Sequence, residues 1–238
     1  MLKNIPSHVG IIPDGNRRFA KRLMKNPSKG HEWGVDKIKT MFEWCKEIGI
    51  RTVTFYSLSL ENFHSRGKEE LNFLFGLARK EIDDIINSKD NFVHKNKIKV
   101  NFIGKLGMLP KDLQEKIEKA MELTKEYNDY MINFAIAYGG RQEIVDALKD
   151  ITQKVLSGEL RPEEINESVV KHSLYTNGQV DPDLIVRTGS EKRISNFMLF
   201  QSAYSEFAFL DVLWPELSKE EFFRTIQDYS KRQRRFGK

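Results

Sequence analysis

Residues 8–16 have the sequence His-Val-Gly-Ile-Ile-Pro-Asp-Gly-Asn, a short apolar run that ends in a turn sequence. An apolar run of this length, ended by proline and glycine, is typical of a buried strand followed by a turn. The pattern therefore predicts that Asp14 lies at the carboxyl end of a strand, directly before a helix.

The same alternation of strand and helix patterns continues along the chain. Strand patterns cover residues 52–56, 98–103, 131–138 and 183–186, and helix patterns cover residues 17–24, 35–48, 68–88, 112–125, 141–156 and 162–174. Residues 27–30 are interpreted as a break and residues 57–66 as a polar connection. Strands separated by helices predict an α/β fold, a single domain with a central, mostly parallel sheet flanked by helices. Ligands of such sheets bind at the carboxyl ends of the strands, where the sequence places Asp14 and residues 57–62, 139–141 and 187–195.

The composition limits the classes of function. With 238 residues, 39% hydrophobic and 31% charged, the chain can bury one core, and we expect a single domain over residues 1–238. A net charge of +5 favours polyanionic ligands, which include nucleic acid, anionic membranes and phosphorylated metabolites. The single cysteine, Cys45, excludes an intramolecular disulfide and a cysteine-cluster zinc site, and its apolar neighbours at helical spacing predict core packing. We expect a cytoplasmic protein, because a single cysteine favours a reducing compartment. No stretch approaches the roughly 20 apolar residues of a membrane span, so any membrane contact is expected to be peripheral.

Asp14 has two interpretations when its turn is considered alone. It can cap the helix that begins near Arg17, with Arg17 and Arg18 as surface charges. Alternatively, free backbone N–H groups after Gly15 and the two arginines bind a phosphate group. A carboxylate beside a phosphate needs a cation between them, and Mg²⁺ is suited to one or two carboxylates plus phosphate oxygens.

Residues 187–195 form a second candidate anion site after the strand at 183–186. The sequence Arg-Thr-Gly-Ser-Glu-Lys-Arg-Ile-Ser contains two arginines, a lysine and two serines in nine positions. Arginine matches phosphate oxygens with two parallel hydrogen bonds, although a solvated basic loop would have the same composition. Two anion sites together indicate two phosphorylated substrates.

Several motifs in order along the chain resemble those of the cis-prenyltransferase family, which includes undecaprenyl diphosphate synthases. They are residues 8–20, Gly30-His31, Ser59-Leu-Glu-Asn-Phe63, Tyr138-Gly-Gly-Arg141 and residues 183–215, the last containing Arg187-Thr-Gly-Ser-Glu-Lys-Arg-Ile-Ser-Asn-Phe197 and Asp211-Val-Leu-Trp-Pro215. The resemblance implies a single α/β domain with a hydrophobic tunnel, working as a homodimer. It also implies Mg²⁺-dependent condensation of isopentenyl diphosphate with farnesyl or geranylgeranyl diphosphate to a Z-polyprenyl diphosphate.

The resemblance assigns roles to individual residues. Asp14 binds Mg²⁺ and helps the allylic diphosphate to leave, and Glu206 completes the Mg²⁺ site from near the dimer interface. Asn62 lies near the point where a proton is lost. The other substrate-binding residues are Gly15, Asn16, Arg17, Arg18 and His31 around the allylic diphosphate, Ser59, Glu61 and Arg66 in the loop that orders the substrates, Phe19 and Phe63 as an aromatic wall, and Arg187, Arg193 and Ser195 around isopentenyl diphosphate.

The basic end of the chain, residues 231–238, contains Arg235-Phe236-Gly237. This element resembles a terminal Arg-x-Gly motif of the family, which implies that Arg235 and Gly237 reach the diphosphate site of the partner subunit. A solvated run of charge is the alternative interpretation.

The sequence departs from the bacterial pattern of the family in places. Pro27 stands where many bacterial members have an arginine, which either Lys25 or Lys29 could replace. Arg66 and Glu70 are taken as the equivalents of an arginine and a glutamate of the family although the chain has one additional residue there. Tyr130, before the strand at 131–138, is a candidate for the residue that blocks the far end of the tunnel.

The tunnel is expected to be lined in part by the helix at 68–88. That helix carries more apolar residues than one amphipathic face requires: Leu71, Phe73, Leu74, Phe75, Leu77, Ile82, Ile85 and Ile86. Ordinary core packing is the alternative for each of them.

Two other functions are compatible with parts of the sequence. A non-catalytic partner subunit of a heteromeric cis-prenyltransferase would share the fold but lose site residues, which are present here. A nucleic-acid-binding protein would need clustered exposed aromatic residues or a known recognition motif, and we identify neither. The expected partners are therefore the two diphosphates and a second copy of the chain, with peripheral membrane contact through the lipid product.

Overall fold

The structure is a computed structural model that describes residues 4–232. Its strands are β1 (His8–Ile12), β2 (Thr52–Ser59), β3 (Ile98–Ile103), β4 (Tyr130–Tyr138), β5 (Leu184–Arg187) and β6 (Glu206–Phe209). Its α-helices are α1 (Asn16–Arg22), α2 (Pro27–Ile48), α3 (Leu60–Ser65), α4 (Lys68–Asn87), α5 (Phe92–Lys95), α6 (Lys111–Thr124), α7 (Gly140–Leu156), α8 (Glu167–Ser173) and α9 (Lys219–Lys231).

The strands form one parallel sheet in the order β3-β4-β2-β1-β5-β6. This confirms the predicted α/β fold with a central parallel sheet. The chain leaves β1 toward β2 on one side, and β5 later pairs with β1 on the other side. The carboxyl end of β1 is thus the point where the strand order reverses, which is where parallel sheets bind ligands. Asp14 follows β1 at this point.

Helices pack on both faces of the sheet and enclose its apolar side chains. The largest fully buried side chains include Trp214, Phe42, Phe55 and Tyr138. Cys45 is buried in the same core as Phe42, which confirms its predicted packing role, and burial raises the pKa of its thiol. Among residues 4–232, no helix combines the length and the apolar composition needed to cross a membrane.

A buried polar chain crosses the sheet at His8. The Nδ1 atom of His8 lies 2.7 Å from the carbonyl oxygen of Val180, and its Nε2 lies 2.7 Å from Thr54 Oγ1. Since a carbonyl oxygen only accepts, Nδ1 carries the proton and Nε2 accepts from the hydroxyl. Burial lowers the pKa of His8 to about 4, so His8 is neutral in the folded protein.

Several predicted boundaries were wrong for identifiable reasons. Residues 27–30 do not separate two helices but form the first turn of α2. Pro27 is tolerated there because the N–H that it lacks would have no partner in the first turn of a helix, and the Asn26 side chain caps the helix by accepting a hydrogen bond from Ser28 N at 3.0 Å. Residues 57–66 are not an open connection: β2 continues to Ser59, whose side chain accepts from Asn62 N at 3.0 Å and caps α3. The predicted helix at 162–174 is divided into a single 3₁₀ turn at residues 162–164 and α8.

Candidate active site

A polar cavity of about 960 Å³ opens at the carboxyl ends of β1, β2 and β5. Most of the predicted site residues line it: Asp14, Gly15, Asn16, Arg17, Arg18, His31, Ser59, Glu61, Asn62, Arg66, Arg187, Arg193 and Ser195. Ser57 and Leu58, which the sequence placed at the same strand ends, also line it, as do Lys21, Tyr56 and Asn196, to which the sequence assigned no role. Of the two lysines considered as replacements near Pro27, Lys25 lines the cavity, whereas Lys29 pairs with Glu32.

Asp14 joins the two predicted anion sites. Its Oδ2 accepts a hydrogen bond from Arg187 Nη2 at 2.8 Å, and its Oδ1 accepts from Arg18 Nη2 at 3.1 Å. Its carbonyl oxygen accepts from Thr188 Oγ1 at 2.8 Å and from Trp214 N at 2.9 Å. The backbone of Asp14 is therefore fixed, while its carboxylate remains partly exposed to the cavity.

Asp14 does not cap α1, which excludes the alternative interpretation of its turn. The N-cap of α1 is Gly15, and among the described residues no side chain forms a capping hydrogen bond with this helix. Gly15 has φ of 108°, in the left-handed region that favours glycine, and a Cβ there would lie 2.8 Å from Leu213 Cδ2.

Arg187 organises the second anion site. Its side chain is buried and donates from Nη1 to the carbonyl oxygen of Arg193 at 2.5 Å and to Ser195 Oγ at 2.7 Å. The Tyr56 hydroxyl lies 3.1 Å from the carbonyl oxygen of Ser195 and holds the backbone of this loop by a hydrogen bond. Because burial raises the pKa of Tyr56, this hydroxyl stays protonated and donates.

Asn196 connects this loop to the segment that carries Asn62. Its Nδ2 donates to Glu61 Oε1 at 2.8 Å, and its Oδ1 accepts from Arg141 N at 2.9 Å. Asn196 belongs to the motif at residues 187–197, but only the three-dimensional arrangement shows this link.

A third group of charges lies at the start of α2 and α4. His31 Nε2 and Arg66 Nη1 each lie 3.1 Å from Glu70 Oε1, so Arg66 and Glu70 do meet at the site. Burial lowers the pKa of His31 below its ordinary value, and the hydrogen bond to Glu70 offsets only part of this effect. Burial acts to raise the pKa of Glu70, but the hydrogen bond from His31 and the charges of Arg66 and Arg17 hold it below its ordinary value.

Three cavity-lining residues have a buried polar atom without a hydrogen-bond partner in the described part of the chain. These atoms are Asn16 Oδ1, Arg66 Nε and Arg187 Nε. Buried polar groups are normally hydrogen-bonded, so unpaired ones that cluster at a cavity are expected to find partners in a ligand. The two guanidinium groups are suited to an anion.

An apolar cavity of about 180 Å³ continues from the polar one between α2, α4 and the sheet. Pro13, Asn16, His31, Ser57 and Leu58 line both cavities. Of the apolar residues predicted on α4, the lining ones are Leu74, Phe75, Leu77, Ile82 and Ile85, whereas Leu71, Phe73 and Ile86 do not line the cavity. The pair of cavities suits an amphiphile with an anionic head and a hydrocarbon chain.

Among the described residues, the aromatic residues of the prediction do not line the polar cavity. Phe19 packs edge-on against Trp33, with ring centroids 5.2 Å apart, and Phe63 packs against Phe75 at 6.2 Å. Tyr130 does not line the apolar cavity but packs against Phe42. Arg235 and Gly237 lie outside the described residues.

Glu206 is not brought to Asp14 within one chain. It begins β6, where it pairs with Leu184, the first residue of β5. It therefore lies at the amino end of the strands, opposite the edge that holds Asp14. Its Oε2 accepts a hydrogen bond from Arg232 Nη1 at 2.6 Å. Within residues 4–232 no three histidine, cysteine, aspartate or glutamate side chains are grouped so that they could hold a metal ion.

Comparisons with known proteins agree with this geometry. Residues 12–237 match the family model described as "Putative undecaprenyl diphosphate synthase". The chain is 47% identical, over 99% of its length and 88% of the relative, to a protein of Thermococcus kodakarensis named tritrans,polycis-undecaprenyl-diphosphate synthase (geranylgeranyl-diphosphate specific). A protein of Methanocaldococcus jannaschii with the same name is 45% identical over 99% of the chain and 84% of the relative.

A solved structure of a related enzyme has the same fold as this chain. The crystal structure of lavandulyl diphosphate synthase from Lavandula x intermedia in complex with dimethylallyl diphosphate superposes with a TM-score of 0.90. It is 34% identical in sequence, and the match covers 98% of this chain and 99% of that one.

Proposed function

Since the chain belongs to the undecaprenyl diphosphate synthase family of cis-prenyltransferases, we propose that it condenses isopentenyl diphosphate with an allylic diphosphate to form a Z-polyprenyl diphosphate. The observation that supports this most directly is the contact between Asp14 and Arg187, which joins two anion sites at the entrance of an apolar cavity. We further propose geranylgeranyl diphosphate as the preferred primer, because the archaeal relatives are named for it.

Binding of the two substrates follows from the residues around each anion site. Asn16, Arg17, Arg18 and His31 surround the allylic diphosphate, whose hydrocarbon chain enters the apolar cavity that Asn16 and His31 also line. Holding both substrates at adjacent sites converts a bimolecular reaction into one between bound partners.

Arg187, Arg193 and Ser195 hold isopentenyl diphosphate on the other side of Asp14. Arg187 already spans the gap, since one of its Nη atoms binds Asp14 and the other binds Ser195. A bound diphosphate would give the unpaired Nε of Arg187 a partner.

The reaction breaks the bond between the allylic carbon and its diphosphate oxygen and forms a bond from the isopentenyl double bond to that carbon. A proton then leaves the isopentenyl unit, and we assign Asn62 to the place where it leaves. Arg17 and Arg18 stabilise the negative charge that develops on the departing diphosphate, a preorganised electrostatic effect.

We propose Mg²⁺ as the cofactor, held by Asp14 together with diphosphate oxygens. The donor set fits, because a single partly exposed carboxylate beside a phosphate site is the arrangement in which Mg²⁺ usually binds. When bound, Mg²⁺ neutralises charge on the leaving diphosphate. The guanidinium groups that now bind Asp14 are themselves phosphate ligands, so diphosphate binding would free the carboxylate.

Incubation with radiolabelled isopentenyl diphosphate, Mg²⁺ and either farnesyl or geranylgeranyl diphosphate tests the proposal. We expect label in a long-chain extractable product, more of it with geranylgeranyl diphosphate, and none after chelation of the metal until Mg²⁺ is restored. Absence of incorporation with both primers would contradict the proposed activity and favour a non-catalytic partner subunit.

We also propose that a cytoplasmic homodimer is the working form, one domain per chain, with Glu206 and the Arg235-Phe-Gly237 element acting on the partner subunit's site. Mixing an Asp14→Ala protein with an Arg235→Ala protein tests this. In a mixed dimer, the site that retains Asp14 receives a native tail from the other chain only if the tail acts across the interface. Activity should therefore recover on mixing, and no recovery, with mixed dimers verified by differential tags, would contradict the assignment.

A further inference from the structure

The turn between α1 and α2 exposes two adjacent apolar side chains. Met24 is 96% exposed and Leu23 is 46% exposed, and Met24 has the highest value among the exposed large apolar residues of the described chain. The turn is fixed by hydrogen bonds from Met24 N to the Lys21 carbonyl oxygen at 3.0 Å and from Lys25 N to the Ala20 carbonyl oxygen at 2.9 Å. Met24 has φ of 55°, in the left-handed region that residues other than glycine adopt uncommonly. The backbone thus holds both apolar side chains in water.

All the charged residues in the sequence around this turn are basic. Residues 15–30 contain six basic residues and no aspartate or glutamate: Arg17, Arg18, Lys21, Arg22, Lys25 and Lys29. Acidic residues from elsewhere pair with four of them, through Glu70, Asp14, Glu216 and Glu32. Lys21 and Lys25 form no ion pair with any residue between 4 and 232, and they flank Leu23 and Met24. The exposed apolar pair therefore lies between two uncompensated positive charges.

The turn also lies at the rim of the polar cavity, which Lys21 and Lys25 line. A surface that combines protruding apolar side chains with unpaired lysines complements an anionic lipid bilayer, which offers negative headgroups above hydrocarbon. We propose that the turn at residues 21–25 docks on an anionic membrane surface, with Leu23 and Met24 inserted and with the cavity mouth facing the lipid. This goes beyond the proposed function, and a membrane site for the turn does not require catalysis.

Vesicle sedimentation of the full chain, without substrate or metal, tests the proposal. The probes are vesicles of phosphatidylcholine alone and of phosphatidylcholine mixed with phosphatidylglycerol. We expect binding to the mixed vesicles, weakened by salt, and little binding to phosphatidylcholine alone. Equal binding to both vesicles, or no binding to either, would overturn the proposal.

A matched pair of variants separates this turn from general surface hydrophobicity. The test variant is Leu23→Ser/Met24→Ser, and the control is Leu148→Ser/Leu156→Ser on α7, whose side chains are 54% and 75% exposed. Each inserted side chain accounts for roughly a tenfold step in partitioning, so the test variant should bind mixed vesicles at least about tenfold more weakly while the control keeps native binding. Circular dichroism verifies that both variants are folded.

A test variant that binds like the native chain, or a control that loses binding equally, would refute the role of the turn. Because neither variant changes a residue that lines the cavities, both should retain activity with detergent-dispersed primer. Failure of vesicle binding is therefore distinguishable from failure of the proposed enzymatic activity.

Discussion

Replacement of Arg187 by lysine tests how the second anion site works. Arg187 is the most buried cation of the site, with 5% of its side chain exposed, and its two Nη atoms reach Asp14 on one side and Ser195 on the other. Lysine keeps the charge, but its single nitrogen cannot reach both partners. A charge-assisted hydrogen bond contributes about 1.5–3 kcal/mol, so loss of one bond to the substrate corresponds to an approximately 10- to 100-fold effect.

The assay varies isopentenyl diphosphate at saturating allylic diphosphate and then reverses the roles. In Arg187→Lys we expect the KM for isopentenyl diphosphate to rise by about 10- to 100-fold, with a change below about threefold in the KM for the primer. Arg161→Lys is the matched control, because Arg161 is 69% exposed and pairs with two nearby glutamates, Glu163 and Glu164. A variant whose KM for isopentenyl diphosphate stays native, or rises only together with that for the primer, would refute the assignment of Arg187.

Three further perturbations test the roles of Asn16, His8 and Tyr130. Gly34→Ala places a Cβ 2.7 Å from Asn16 Oδ1, so Asn16 must move and turnover should fall. The melting temperature should change little, because the crowding at this buried position offsets the roughly 1 kcal/mol by which alanine is favoured over glycine in a helix; a fully active variant would remove Asn16 from the site. The His8 pKa of about 4, lowered by burial from 6.5, means that the unfolded state takes up a proton that the folded state does not. The contribution of His8 to the free energy of unfolding is therefore complete above pH 6.5 and is lost as the pH falls to about 4. In urea unfolding, the free energy of unfolding should fall by about 2 kcal/mol between pH 8 and pH 5 because of His8. If His8→Gln showed the same pH dependence of this free energy as the native chain, that would contradict the expectation. Tyr130→Ala should lengthen the products, because Tyr130 packs against Phe42, which in turn packs against Phe92 of the apolar cavity. Unchanged chain lengths on thin-layer chromatography would exclude Tyr130 as a chain-length determinant.

The position of Asp14 could be predicted because a local pattern determined it. The apolar run at residues 8–12 and the Pro-Asp-Gly turn place Asp14 at a strand end, and parallel topology brings the other strand ends to the same edge. Its pairing with Arg187, 173 residues away, depends on which strands are neighbours. Local periodicity carries no information about strand order, so a resemblance to known motifs was needed to connect the two sites.

The sequence patterns predicted neither α9 nor β6, and the reasons differ. Ser218 and Glu221 form a capping box, and the buried residues of α9 recur at helical spacing, so this helix was readable from the sequence. By contrast, β6 has four residues of intermediate burial at the edge of the sheet, which gives no clear alternation. Glu206 belongs to this strand, and its proposed role in metal binding needs a second subunit that one chain cannot supply.

The activity of an Asp14→Asn protein tests whether the Asp14 carboxylate holds Mg²⁺ between the two diphosphates. Asparagine has nearly the same shape and can still accept a hydrogen bond from Arg18 or Arg187, but it lacks the charge that we propose holds Mg²⁺. With radiolabelled isopentenyl diphosphate, we expect a folded protein with native circular dichroism and turnover reduced by at least about 100-fold. Turnover within about threefold of native would contradict the account, because the two-diphosphate site would then work without the carboxylate that joins its halves.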